Sequence, residues 1–260
     1  MVWLRTVGTT GVLALAIGAG WISAHAEPPD RQAAALYQSG AFLEAAGAAA
    51  ADGDADDLAF AARAVLAYCM TGEGDPPKEM IARAQTYAEQ AMQRDPDHAE
   101  ARLQLAIAVS LESRPMSAMD AWNSGLGKKG RELAEAVLKD DPDNIYANGF
   151  LAVWHAEGRR RAGAMGAGFI GASLQEAERR YEHAAGLAPD DVGVHWQYAR
   201  ALVALDSRRF GKKAAVILER AIAARADDQV ELVMQARARE LLGLLREDRR
   251  EAETRALEML

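Results

Sequence analysis

Apolar positions along this chain return every three or four residues. Over residues 99–111, Leu103, Ile107 and Leu111 recur at every fourth position, with Ala106 and Ser110 beside them. Over residues 229–245, Val230, Val233, Met234, Leu241, Leu244 and Leu245 trace one face in the same way. That spacing is the period of a helix, because side chains three and four apart stack on one side of it. Beyond the N-terminal segment no stretch alternates polar with β-branched residues, so no sheet is predicted. Turn formers fall between the periodic runs: Gly40, Gly53, Asp75-Pro76-Pro77, Ser113-Arg114-Pro115 and Asp206-Ser207.

The punctuation repeats. Arg94-Asp95-Pro96-Asp97, Asp140-Asp141-Pro142-Asp143 and Leu187-Ala188-Pro189-Asp190 each close one helix and open the next, and their prolines stand 46 and 47 residues apart. Proline suits the first turn of a helix, and aspartate there favours the positive helix end. A fixed period in this range marks a stacked repeat. Small residues recur at matching places: Ala106, Ala152 and Ala199, each preceded by Leu105, Leu151 or Tyr198. Ala177, Tyr181, Ala184 and Pro189 form a second pattern, matched more loosely by Ala84, Ala88, Ala91 and Pro96, and by Gly130, Ala134, Val137 and Pro142. Leu36, Tyr37, Gly40, Phe42 and Ala45 resemble the middle of a further unit, and Phe210, Ala214, Leu218 and Ala221 a second helix.

These positions resemble tetratricopeptide repeats over about residues 31 to 245, whose unit is a helix pair of about 34 residues. The resemblance implies an all-α, right-handed α-solenoid of stacked antiparallel helix pairs without a β-sheet. It implies one domain over 27–260, of four to five pairs plus C-terminal capping helices. Two units run about a dozen residues over the family length, with the excess at 112–123 and 157–173. Such extended units are also similar, more distantly, to the regulator of microtubule dynamics proteins. In a solenoid the first helix of each pair lines the concave side. That places Leu103, Ile107, Tyr146, Gly149, Val153, Trp196 and Arg200 towards a partner-binding groove. Phe150 and Trp154 are expected to pack between repeats, and Trp196 fits either place.

Alanine, leucine, arginine and glutamate dominate the composition, and unbranched side chains of this kind favour helix. The net charge of −8 argues against general nucleic-acid binding. The first 26 residues differ from the rest. Arg5 is their only charge, residues 7–22 are apolar or small, and Ala24-His25-Ala26 precedes the polar Glu27-Pro28-Pro29-Asp30. This is the layout of a secretory signal peptide over 1–26, which implies export, to the periplasm if the chain is bacterial. An uncleaved anchor is the alternative, although the run is short of the ~20 residues that span a bilayer. No stable span is expected after cleavage. Cys69 is the only cysteine, so no intramolecular disulfide forms.

Candidate chemistry is sparse. Residues 163–173, GAMGAGFIGAS, contain G-x-G-x-x-G at Gly166, Gly168 and Gly171, and the wording resembles the nucleotide loop of short-chain dehydrogenases. A dinucleotide site needs a buried strand before the first glycine and an acid ending a second strand. Here the preceding AVWHAEGRRRAGAM reads as helix and then basic, so the segment is expected to be an extended connection between helices. Asp52, Asp54 and Asp56 open like a calcium loop, but Asp57 and Arg63 occupy the places of the required glycine and bidentate acid; a turn and helix cap is expected. His98, His155, His183 and His195 form no local metal pair. Cys69 sits on an apolar helix as a small hydrophobe. No cofactor is expected.

Three basic clusters lie near connections inside the repeats: Lys128, Lys129 and Arg131; Arg159, Arg160 and Arg161; Arg208, Arg209, Lys212 and Lys213. Stacking could bring them to one edge, attractive to acidic partners or anionic headgroups; ordinary solvated helix ends are the simpler reading and the one favoured. Three functions follow: a non-catalytic scaffold gripping a protein or peptide in the groove, a nucleotide-binding enzyme or subunit using the glycine segment, or a helical surface docking on a membrane.

Overall fold

The computed structural model describes residues 31–260; the proposed signal segment lies outside them. The described residues form helices and no strand. In chain order they are α1 (Arg31–Gln38), α2 (Phe42–Asp52), α3 (Ala55–Thr71), α4 (Lys78–Arg94), α5 (Ala99–Ser113) and α6 (Ala118–Ser124). Then follow α7 (Leu126–Asp140), α8 (Ile145–Ile170), α9 (Leu174–Leu187), α10 (Val192–Ala223), α11 (Gln229–Glu247) and α12 (Arg249–Glu258). α8 is broken at Gly163 and α10 at Asp206, so each is two helices in one continuous run.

The repeated Pro-Asp motif is a turn rather than a helix start. In each copy a backbone N–H reaches back three residues across the proline: His98 N to Asp95 O, Asn144 N to Asp141 O, and Asp191 N to Ala188 O. Proline thus takes the second position of a β-turn, where its fixed φ fits and its missing donor is not needed. The residue closing each turn then caps the next helix. His98 Nδ1, Asn144 Oδ1 and Asp191 Oδ1 accept from the backbone N–H three residues on, at 3.2, 3.0 and 2.7 Å. The sequence expectation that these prolines enter the first helical turn is corrected: each stands three residues before the first helical residue.

Helices pair in sequence: α1 with α2, α3 with α4, α5 with α7, α8 with α9, and α11 with α12. Further contacts link α2 to α3, α3 to α5, α7 to α8, α8 to α10 and α10 to both α11 and α12, which joins each group to the next. The small residues expected at crossings are there: Ala106, Ala152, Ala199, Ala84, Ala88, Ala91, Ala134, Ala177 and Ala184 are all inaccessible to solvent. At Gly130 a Cβ would sit 3.4 Å from both Ala106 O and Phe150 Cζ, so a methyl group there would already be in contact across the α5–α7 crossing.

One contact joins elements far apart in sequence. α11 packs on α3, and the chain curls until its C-terminal helices meet its first half. Arg237 of α11 donates to Met70 O and, at 2.7 Å, to Gly72 O at the C-terminal end of α3. A guanidinium there satisfies carbonyls that have no helical partner and opposes the negative end of the helix dipole. Arg114, after α5, donates to Leu257 O of α12. Trp196 Nε1 and Arg237 Nη1 both reach Leu260 O at 3.1 Å. The C-terminal residues are therefore held by donors from three separate parts of the chain.

Candidate functional site

This curl encloses a central cavity of about 1350 Å³. Its walls come mainly from the first helix of each pair: Arg63 and Met70 of α3, Ile107 and Leu111 of α5, Tyr146 and Val153 of α8, Gln197 and Arg200 of α10, Val230 and Met234 of α11. These helices face inward because their alternate faces are taken by the second helix of the pair. The two stretches in excess of the repeat length form one side of the cavity mouth. They are α6 and the second part of α8, after Gly163.

Of the groove residues expected from sequence, Ile107, Tyr146, Gly149, Val153 and Arg200 line this cavity. Leu103 does not: it is 5% exposed and packs with Ala134, Val137 and Leu151 between helix pairs. Trp196 is completely buried in the main core, its indole N–H fixed to Leu260 O. Its ring belongs to the packing between pairs, one of the two places the sequence allowed. Phe150 and Trp154, expected between repeats, also border the cavity, and Trp154 Nε1 donates to Gly127 O at 2.8 Å.

The basic clusters separate. Lys128, Arg131, Arg160 and Arg161 reach the cavity mouth, while Arg208, Arg209 and Lys213 lie on the second half of α10 away from it. Lys129 pairs with Glu89 at 3.2 Å and Lys213 with Glu178, as solvated helix faces do.

Inside, cations outnumber acids. Arg63 is neutralised by Glu100, whose Oε1 accepts from Nε at 2.6 Å. Arg114, Arg160, Arg161 and Arg200 have two carboxylates near them, Asp75, which acts on Arg114, and Glu157, which lies 2.8 Å from Arg160 and 3.9 Å from Arg200. Arg161 spends its guanidinium on Ser113 O and Met116 O, tying α8 to the start of the α6 insert. Burial, followed by the Arg200 charge, pushes Arg114 down to about 10. Burial also lowers Arg161 and Arg200, and the Arg160 charge acts on both in the same direction. These guanidiniums thus repel one another in a partly dry site, which is the condition an added anion relieves. Tyr146, opposite, hydrogen-bonds Asp191, and burial raises its pKa.

The glycine segment is not the connection the sequence suggested. Residues 164–170 are helical, Gly163 (φ +69°) breaks the helix before them, and Gly171 (φ +75°) closes it in the left-handed conformation. No strand feeds the fingerprint, so a Rossmann turn is excluded. The returning chain instead packs on α8, where a Cβ on Gly158 would lie 2.9 Å from Ala172 Cβ.

Asp54 of the calcium-like motif is the N-cap of α3, accepting from Asp57 N at 2.8 Å, and Asp56 binds His98. His183 pairs with Asp143, and His195 Nε2 donates to Pro189 O while Nδ1 accepts from Tyr181. His155 accepts from Ser173 N, and burial lowers it to about 4. Among the described residues no three histidine, cysteine or carboxylate side chains gather into a metal-binding group. Cys69 is buried, which pushes its thiol up to about 11. No helix of the described residues is long and apolar enough to cross a membrane.

The sequence missed Arg114 and Arg237. Their partners are backbone carbonyls 143 and 167 residues away, which leave no local pattern.

The fold and site define an all-helical protein built from consecutive helix pairs around a cation-rich internal cavity. Residues 31–246 match the family model of regulator of microtubule dynamics protein 1-3, and the chain belongs to that family. It is the more distant of the two resemblances, carried by the lengthened units, that the match supports. No curated protein matches the chain.

Proposed function

We propose that this protein is a non-catalytic binding module that holds an extended, acidic and apolar segment of a partner protein in its central cavity. On this reading the helix pairs are a curved tetratricopeptide-like solenoid, and the concave first helices are its binding face. The observation that carries it is the excess of positive charge in the cavity of a chain whose net charge is −8. A carboxylate entering beside Arg114 and Arg200 gains charge-assisted hydrogen bonds where water is scarce. The volume exceeds the ~300–1,000 Å³ of small-molecule pockets and suits a stretch of polypeptide. The family name speaks of regulating microtubule dynamics, which accords with a protein acting through partners. The work takes place where the N-terminal segment directs the chain, in the periplasm if the source is bacterial.

The test places a photo-crosslinking amino acid at Ile107 or Val153, inside the cavity, and at Arg208, outside it, in the native host. The same protein crosslinked from both inner positions and not from Arg208, through a segment bearing acids, supports the proposal. Crosslinks from Arg208 alone overturn it. A second reading rests on the same lining: apolar walls beneath arginines also fit a small anionic amphiphile. Native mass spectrometry of the purified protein separates the two, since a co-purifying amphiphile adds a discrete small mass.

A further inference from the structure

The four most exposed large apolar side chains of the described residues are Phe169 (87%), Met165 (85%), Met119 (67%) and Trp122 (59%). All four stand on the two stretches that exceed the repeat length, α6 and residues 164–170. They are not scattered. Arg131, early in α7 and thus just after α6, donates to Ile170 O at 2.9 Å, and Arg161 holds the α5–α6 link through Ser113 O and Met116 O. Met119, Trp122 and Phe169 line the same cavity, which brings the two short helical stretches to one side of the molecule.

That face is basic. Over residues 113–131 and 157–171 seven side chains are basic, and two, Asp120 and Glu157, are acidic. Lys128 projects there, 72% exposed, with only an exposed Glu132 at 3.6 Å. An acidic protein has thus gathered cations around its most exposed aromatics. At Gly163 the φ of +69° breaks α8, and a Cβ there would meet nothing within 4 Å. Residues 164–170 therefore do not continue the axis of the helix before them.

We infer that this face docks on an anionic membrane surface, with Met119, Trp122, Met165 and Phe169 entering the headgroup boundary and the exposed Lys128 and Lys129 meeting lipid phosphates. Trp and Phe favour that boundary, and each cation near an anionic leaflet adds to the attraction. A second copy of this chain fits less well, because a two-fold contact would set one basic face against another. Docking there would present the cavity mouth to the bilayer. Met119, Trp122 and Phe169 also line the cavity, so docking and cavity occupancy draw on the same side chains.

The test uses the full chain carrying Met165→Cys, labelled with a polarity-sensitive fluorophore; the native Cys69 is buried and stays unlabelled. Vesicles of phosphatidylcholine alone are compared with vesicles that also contain phosphatidylglycerol. A blue shift confined to the anionic vesicles is expected. Adding Lys128→Glu and Lys129→Glu, both exposed, should weaken it by about fivefold per cation removed, with circular dichroism unchanged. Because every variant keeps the N-terminal segment, attachment through that segment alone leaves the probe in water. An unshifted probe overturns the inference. So does a shift that needs no lipid and grows with protein concentration, which would assign the face to a second copy, or one produced only by an acidic protein.

Discussion

Arg237 is the most informative position for testing how this fold closes. It is 8% exposed and donates to Met70 O, Gly72 O and Leu260 O, so one side chain joins α11, the end of α3 and the C-terminal residues. Hydrogen bonds from a charged group are each worth about 1.5–3 kcal/mol net. Burying the guanidinium returns part of that, as the lowering of its pKa by burial indicates. Arg237→Ala should cost about 2–4 kcal/mol, since three carbonyls lose a donor and water reaches them poorly. In a domain of this size the melting temperature then falls by roughly 5–15 °C. Urea denaturation should show a lower midpoint with an unchanged slope, and hydrogen exchange should quicken in α11 and at the end of α3. Arg237→Lys restores only part of the loss, because an ammonium cannot span three acceptors as a planar fork does. A change below ~0.5 kcal/mol, the size expected of a surface substitution, would refute the claim that this contact holds the two ends together.

Trp196→Ala should cost about 3–5 kcal/mol in denaturant melts, the range for deleting a buried aromatic; a groove residue would instead lose partner binding at unchanged stability. Stability should also fall in acid through His155. Its pKa of about 4 in the fold lies below the ~6.5 of the unfolded chain, so the unfolded state binds more protons between those values. Stability is then complete above about pH 6.5 and declines towards pH 4 by at most ~1.4 kcal/mol per pH unit. Urea midpoints measured across that range should flatten in His155→Gln. A slope left unchanged by the substitution would assign the effect elsewhere. Glu176, held down to about 2 chiefly by its hydrogen bond with Arg179, loses its contribution at lower pH than His155, as pH falls from its ordinary carboxylate value towards 2.

The amino-acid sequence by itself determined the helices, their pairing and the small residues between them. Those are local consequences of chemistry: a period of 3.6 residues, alanine where helices approach, and a proline turn that caps the next helix. It also located the two lengthened stretches but not their conformation. Glycines at 163, 166, 168 and 171 read as loop, yet only Gly163 and Gly171 take the left-handed conformation, and the residues between gain helical hydrogen bonds. Which face Trp196 presents was undecided, because a helix with apolar residues on most sides has no unique inner face. Burial by α12, more than fifty residues later in the chain, decided it. The cavity belongs wholly to the tertiary structure. The curl that encloses it is held by Arg114 and Arg237 reaching carbonyls, and a backbone acceptor is the same whatever residue carries it. Contacts of that kind cost chain entropy that only the complete fold repays, and no spacing in the sequence announces them.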